Sequence, residues 1–545
     1  MAPPFDLDLV LRNGTLYDGS GAEPRDGDVG VRGDRIAAIG KLEGRGQLEI
    51  DAAGLAVAPG FINMLSWANE SLIADGRSQS DIRQGVTLEV LGEGISMGPL
   101  SEALRQERAR EQGDIRYDIG WTTLGEYLDD LAGRGISPNV GSFVGATTIR
   151  VHVLGHADRP PNLEELGRMR RLVSQAMQEG ALGISSALGY VPGCYATTEE
   201  LVSLAQVAAE YGGLYLSHLR SEGPQLLEAV DELIAIAARA AIGAEIYHLK
   251  ASGKQNWPKL GPAIEKITAA REQGLRVSAN MYPYSALSTS FEAAMPPWVQ
   301  EGGIDAWVER LRDPDLRARV RREVSHPGNG WDNTYLAAGS PENIIAVGFK
   351  NRELKPLSGK TLAEISALRG TTPEETMMDL VVEDHSGLEV VFKTVSEDNL
   401  RQEIRMPWIS FGSDSPSLAP EGVFLQSSIH PRAYGTFARL LGRFVREEGL
   451  IPLREAVQRL SSLPAGNLHL DRRGLLAPGY FADIVVFDPE TIQDHATFDD
   501  PHRYSTGVHH VVVNGQLVLR DGEHTGALPG RVVRGPGRRR SEAVA

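Results

Sequence analysis

The chain has 545 residues, 41% hydrophobic and 23% charged, with no apolar run of about 18 residues, which excludes a helical membrane protein and leaves a globular chain of two or three domains. Its 72 acidic residues against 55 basic ones give a formal net charge of -17, which excludes a nucleic-acid surface, because phosphate binding needs concentrated basic charge. The single Cys194 excludes an intrachain disulfide, and with no basic, apolar leader at the N-terminus the expected location is the cytoplasm.

Residues 1–58 alternate apolar and polar in short bursts, at 7–11, 29–31 and 35–39, with a turn expected at Asn13-Gly14. This texture predicts short antiparallel strands joined by tight turns. From 59 to 472 the rhythm changes: helical stretches at 162–179, 198–211, 225–241 and 260–273 alternate with short apolar runs at 88–91, 183–186, 213–217, 245–247, 276–279 and 407–411. Strands alternating with helices of this length predict an α/β fold with a parallel sheet, and the repeats suffice for a closed (β/α)8 TIM-type barrel. Residues 291–349, rich in charge and carrying Trp298, Trp307 and Trp331, break that rhythm and are expected to be an insertion between the seventh and eighth strands. It either overhangs the catalytic face or is a surface excursion. Strand texture returns at 483–487 and 511–517, so residues 473–535 are expected to join 1–58 in one composite β-sandwich domain. The Gly/Pro-rich segment 536–545, with Arg538, Arg539 and Arg540, reads as a disordered tail.

A catalytic barrel carries its working groups at the C-terminal ends of its strands. Four polar residues directly follow apolar runs: Glu93 in Gly92-Glu93-Gly94, His218 in Leu216-Ser217-His218, His248 in Ile246-Tyr247-His248, and Asp414 in Gly412-Ser413-Asp414. Imidazole is costly to bury unless both ring nitrogens are satisfied, and two strand-end histidines on consecutive predicted strands favour metal ligation. Each residue also has a plainer reading: an exposed turn for Glu93, satisfied core histidines, a helix N-cap for Asp414. Three ligands with one open position suit a catalytic ion, and Asp414 is then the group that accepts a proton from water and returns it to a leaving amine. Cys194 lies in a Pro-Gly-Cys-Tyr turn without a histidine partner and reads as structural.

Several segments resemble the N-acyl-D-amino-acid deacylase (D-aminoacylase) family of the amidohydrolase superfamily. They are Ala58-Pro59-Gly60-Phe61-Ile62, Arg83-Gln84-Gly85-Val86-Thr87, Ser217-His218-Leu219-Arg220, His248-Leu249-Lys250, Tyr282-Pro283-Tyr284, Gly412-Ser413-Asp414, His430-Pro431-Arg432-Ala433-Tyr434 and Thr525-Gly526-Ala527-Leu528-Pro529-Gly530, in the family's order over nearly the whole chain. The resemblance implies zinc-dependent hydrolysis of N-acyl-D-amino acids, with His218 and His248 as ligands and Asp414 as the catalytic aspartate. It implies substrate contacts at Lys250, Tyr282, Ser288 and Arg220, and a carboxylate grip at Arg432, for which a surface arginine is the alternative.

Two departures stand out. The family carries His-x-His after the first strand, where this chain has Leu65 and Trp67, neither able to ligate an ion. The family's metal-binding cysteine is also absent, and Glu93 takes its place. The expected centre is therefore one divalent ion on Glu93, His218 and His248, zinc or, with a harder carboxylate ligand, manganese or iron. Trp67 is expected to fill the vacated space and line the pocket. The expected partner is a small carboxylate-bearing substrate, with a homo-oligomer left open. A cyclic-amide hydrolase related to dihydropyrimidinase and a catalytically silent binding barrel stand as alternatives.

Overall fold

A computed structural model describes residues 6–328 and 330–538 of the protein. Both chain ends build one mixed sheet of nine strands. The N-terminal part supplies Leu7–Leu16, Arg25–Arg32, Arg35–Gly40, Gly46–Asp51 and Ala56–Pro59; the C-terminal part supplies Ile484–Phe487, Val508–Val513, Gln516–Arg520 and Glu523–His524. The halves join where Ala56–Pro59 pairs antiparallel with Ile484–Phe487. Asn514-Gly515, both at positive φ (47° and 80°), make the tight turn between Val508–Val513 and Gln516–Arg520. Asn13-Gly14 does not turn the chain. It is a bulge inside Leu7–Leu16, with the register slipping between Leu11 and Gly14, and a Cβ on Gly14 would lie 2.4 Å from Val57 Cγ2.

Eight short strands run between these ends: β1 (Phe61–Asn63), β2 (Val86–Leu91), β3 (Asn139–Ser142), β4 (Gly183–Ala187), β5 (Leu214–His218), β6 (Gly243–Ile246), β7 (Val277–Met281) and β8 (Ile409–Phe411). β1–β2–β3 and β4–β5–β6–β7–β8 are parallel sets. Val144–Gly145, separated from β3 by Phe143, pairs parallel with β4. At the other end, Met64 donates to Phe411 O (3.1 Å) and Asp414 to Leu65 O (2.8 Å), linking β8 to β1. These strands are buried along their whole length, which explains their apolar residues, while Glu89, Ser278 and Asn280 are buried polar residues within them. The helices α1 (Leu163–Glu179), α2 (Thr198–Glu210), α3 (Leu226–Ala240) and α4 (Leu260–Glu272) follow the expected stretches within two residues. A capping box between Asn162 and Glu165 starts α1, and Gly180 at φ 106° ends it.

Between β7 and β8 the chain makes a three-stranded antiparallel sheet of Leu287–Ser290, Ile344–Gly348 and Glu389–Phe392. It packs a separate apolar core with Phe291, Trp307, Phe349, Met377 and Phe392. The excursion thus continues to Phe392, past the break at 349 that the sequence suggests, because Pro373–Asp384 has the same helical pattern as the flanking βα units. Of the expected tail, residues 536–538 form a helical turn and the rest lies outside the described residues. No helix among the described residues is long and apolar enough to cross a membrane.

Candidate metal centre

Glu93 follows β2 in a turn that only glycines allow on either side. A Cβ on Gly92 would lie 2.4 Å from Phe143 O, and one on Gly94 would lie 2.5 Å from Ala187 Cβ. The turn is pressed between neighbouring strands and Glu93 is 5% exposed, which removes the exposed-turn reading. His218 ends β5, and His248 lies two residues beyond β6 at φ 36°, a conformation that costs energy and persists where surroundings enforce it.

The three side chains converge. Glu93 Oε1 lies 2.9 Å from His248 Nε2 and 3.3 Å from His218 Nδ1, and the two ring nitrogens are 3.0 Å apart. Four-coordinate zinc with bonds of about 2.0–2.2 Å separates its ligand atoms by about 3.3–3.6 Å. Movements of a few tenths of an ångström would open this triangle to that size, so the residues present fit a divalent ion. No other group of three or more such ligands meets among the described residues.

The electrostatics favour a cation here. Burial and Lys250 push the His248 imidazole down, but Glu93, Glu222 and Asp414 overcome both and raise it to about 9. Burial pushes the Glu93 carboxyl up, and the two imidazoles reverse that and hold it far below the usual range.

Sequence reasoning missed Glu222. Its Oε1 lies 3.1 Å from His248 Nδ1 and 2.6 Å from Lys250 Nζ. His248 Nδ1 also has Lys250 Nζ at 2.8 Å; a proton on Nδ1 directed to the Glu222 carboxylate would leave the Nε2 lone pair free for an ion, the carboxylate–histidine–metal arrangement that orients a ligand. Glu222 is in turn held from the excursion: Asp332 accepts from Ser221 Oγ (2.6 Å) and from the Glu222 amide (2.7 Å). The one signal in sequence was position, since Glu222 stands in the strand-end loop four residues after His218. Glu222→Gln is expected to weaken metal affinity by about 10–100-fold with the fold intact, measured by competition with a chromogenic chelator. Unchanged affinity would limit Glu222 to pairing Lys250.

Asp414 has φ 50° and no helix follows it, so it is not an N-cap. Its Oδ1 accepts from Trp67 Nε1 at 3.1 Å and its Oδ2 lies 2.7 Å from Arg432 Nη1. Burial raises its carboxyl, with Arg432 and His248 opposing. Arg432 is 4% exposed, which removes the surface reading. Its guanidinium covers the Tyr282 ring at 4.5 Å and donates to Ser288 O at 3.2 Å. The contact with Asp414 is close enough for an ion pair but out of line for a hydrogen bond. Arg432 Nε, Arg432 Nη1 and Tyr282 Oη are left buried without aligned partners.

Two cavities meet at His218 and His248, one of about 680 Å³ bounded by Trp67, Glu93 and Arg432, the other of about 120 Å³ bounded by Glu222, Lys250 and Tyr282. A 2.8 Å hydrogen bond from Thr289 Oγ1 to Tyr190 Oη lies where they touch, and Ser288 lines both. Trp307 and Ile304 of the excursion wall the larger and Asp332 and Asn333 the smaller, so the excursion overhangs the site. Arg220 does not join them. Its guanidinium is bound to Glu232 (2.8 Å), Cys194 O (2.9 Å) and Ala196 O (2.9 Å). It lines neither cavity, in contrast to the substrate contact expected of it. Leu65 is 1% exposed in an apolar cluster with Ile62, Met64 and Phe143.

A model described as the amidohydrolase family matches residues 93–519. The chain is 33% identical to a D-aminoacylase of Alcaligenes xylosoxydans xylosoxydans, over 97% of this chain and 98% of that one. It is similar in structure to the N-acyl-D-glutamate deacylase of Bordetella bronchiseptica complexed with zinc and a phosphonate inhibitor, with TM-score 0.80, 30% identity and 97% and 99% of the two chains covered. A solved D-aminoacylase described by a binuclear metal centre, with one-metal activation and second-metal attenuation, matches with TM-score 0.80, 31% identity and 97% and 100% coverage. With the family model spanning most of its length and a curated relative at 33% identity nearly end to end, the chain belongs to the amidohydrolase family, beside the D-aminoacylases.

Proposed function

We propose that the protein is a metal-dependent hydrolase that removes the acyl group from an N-acyl-D-amino acid or a related peptide-like carboxylate. The convergence of Glu93, His218 and His248 at ligand spacing carries this reading. We read the eight linked parallel strands as a (β/α)8 barrel over 59–472, flanked by a composite β-sandwich of 1–58 and 473–535, in a cytoplasmic enzyme. Those three residues would hold one divalent ion, zinc or alternatively manganese or iron, which when bound would supply carbonyl polarisation and a more acidic water. Asp414 takes the proton of the attacking water on its carboxylate and passes it to the leaving amine nitrogen. Arg432 and Tyr282 receive the substrate carboxylate: Arg432 Nε and Tyr282 Oη are buried without a partner, at about 1–3 kcal/mol each while unsatisfied, and a carboxylate supplies the missing acceptor. Lys250 and Ser288, which line the same cavity as Tyr282, orient the substrate beside that grip, and the overhanging excursion keeps bulk water out.

The test is elemental analysis of the purified protein with a screen of matched N-acyl-D- and N-acyl-L-amino acids. One divalent ion per chain and turnover of the D series is the expected result. No ion together with no turnover after zinc or manganese is supplied would refute the hydrolase, and equal turnover of both series would refute the stereochemical assignment.

A further inference from the structure

Trp67 does more than fill the space left by a missing ligand. Its indole N–H is a donor with no capacity to ligate an ion, and it points at two acceptors at once: Glu93 Oε2 at 3.0 Å and Asp414 Oδ1 at 3.1 Å. Two buried carboxylates that face one point repel each other and draw in a positive partner, either a proton or a cation. Here the positive end of the indole N–H occupies that point.

We propose that the Trp67 indole N–H stands in for a second metal ion: it bridges Glu93 and Asp414, fixes both carboxylates for the one-ion reaction, and bars a second ion from the centre. The inference rests on the one-ion reading above and concerns what replaces the other ion.

The carboxylate oxygens are divided accordingly. Glu93 turns Oε1 toward His218 and His248 and gives Oε2 to Trp67. Asp414 gives Oδ1 to Trp67 and sets Oδ2 against Arg432. The two oxygens that face the point between the carboxylates, Glu93 Oε2 and Asp414 Oδ1, both accept from the indole, so a second cation at that point must displace it. Displacement is opposed by the backbone. The Trp67 amide donates to Ser415 O at 3.0 Å and the Ser66 amide to Val90 O at 2.9 Å, which clamps the tryptophan between β2 and the loop that carries Asp414. The other position of the lost pair, Leu65, is sunk in apolar packing and offers no ligand. One hydrogen-bond donor thus sets which Glu93 oxygen faces the ligand triangle and where the proton-accepting carboxylate stands. Trp67 is a positioning residue for both.

The experiment compares the wild-type protein, Trp67→Phe and the double variant Leu65→His/Trp67→His, each incubated with excess zinc, desalted, analysed for metal and assayed across a zinc titration. Wild type is expected to hold one ion and keep its turnover at excess zinc. Trp67→Phe keeps the ring and loses the N–H; it is expected to hold its tight ion while kcat falls about tenfold with KM within about twofold, the size of one lost hydrogen bond to a charged group. The double variant is expected to bind two ions and to lose turnover as zinc rises. A wild type with two ions, or attenuated by excess zinc, overturns the proposal, as does Trp67→Phe with unchanged kcat. A wild type with one ion and normal turnover beside such a Phe variant sinks the role of Trp67 and leaves the one-ion hydrolase standing. A wild type with no ion and no turnover removes both.

Discussion

Asp414→Asn is expected to leave metal content unchanged and lower turnover by about two to four decades, the loss of a general base. The amide has almost the size of the carboxylate, and its oxygen can still accept from Trp67 Nε1, so the loop keeps its place. What disappears is the ability to take a proton, together with the negative charge that faces Arg432 at 2.7 Å. An arginine released from that pair still binds a substrate carboxylate, so KM is expected to move far less than kcat. Steady-state kinetics with elemental analysis of the same preparation checks both halves. Normal turnover would remove Asp414 from the mechanism.

The second large effect is at Glu93. Glu93→Ala deletes a ligand atom and the charge that holds two imidazoles 3.0 Å apart, and it is expected to weaken metal affinity by more than about 100-fold, since even outer partners of ligands are worth about 10–100-fold. Turnover follows occupancy down. His218 and His248 alone are two neutral donors, too few for a catalytic ion. Chelator competition reads the affinity, and unchanged occupancy would make Glu93 a turn residue only.

The strand-end residues were legible because buried parallel strands are mainly apolar, and a charged or imidazole side chain just beyond such a strand stands out against it, although Glu89 and Glu245 lie buried within strands as well. That logic found Glu93, His218, His248 and Asp414, and the structure gathers them within one site. Glu222 and Asp332 escaped it because they lie in loops, where no periodicity says which way a side chain points. Arg220 failed for the complementary reason. Two residues past His218 it shares the motif, yet the chain has already turned outward and Glu232 takes the guanidinium. Asn13-Gly14 has the composition of a hairpin turn, and only the approach of Val57 shows that its glycine serves a bulge. The trade of a histidine for Trp67 was visible in sequence as a loss. Its hydrogen bonds to Glu93 and Asp414 required coordinates.

The pairing of Ala56–Pro59 with Ile484–Phe487 has a consequence for biosynthesis. The stretch from Pro59 to Ile484 must be made before that edge finds its partner, which at about 5–20 residues per second takes roughly 20 to 85 s. For that interval the first strands present an open edge with an apolar face, the kind of surface on which nascent chains stick to one another. Termination between Phe411 and Ile484 releases a chain whose central strands are complete but whose first sheet can never close. Such fragments belong to the clientele of chaperones and proteases.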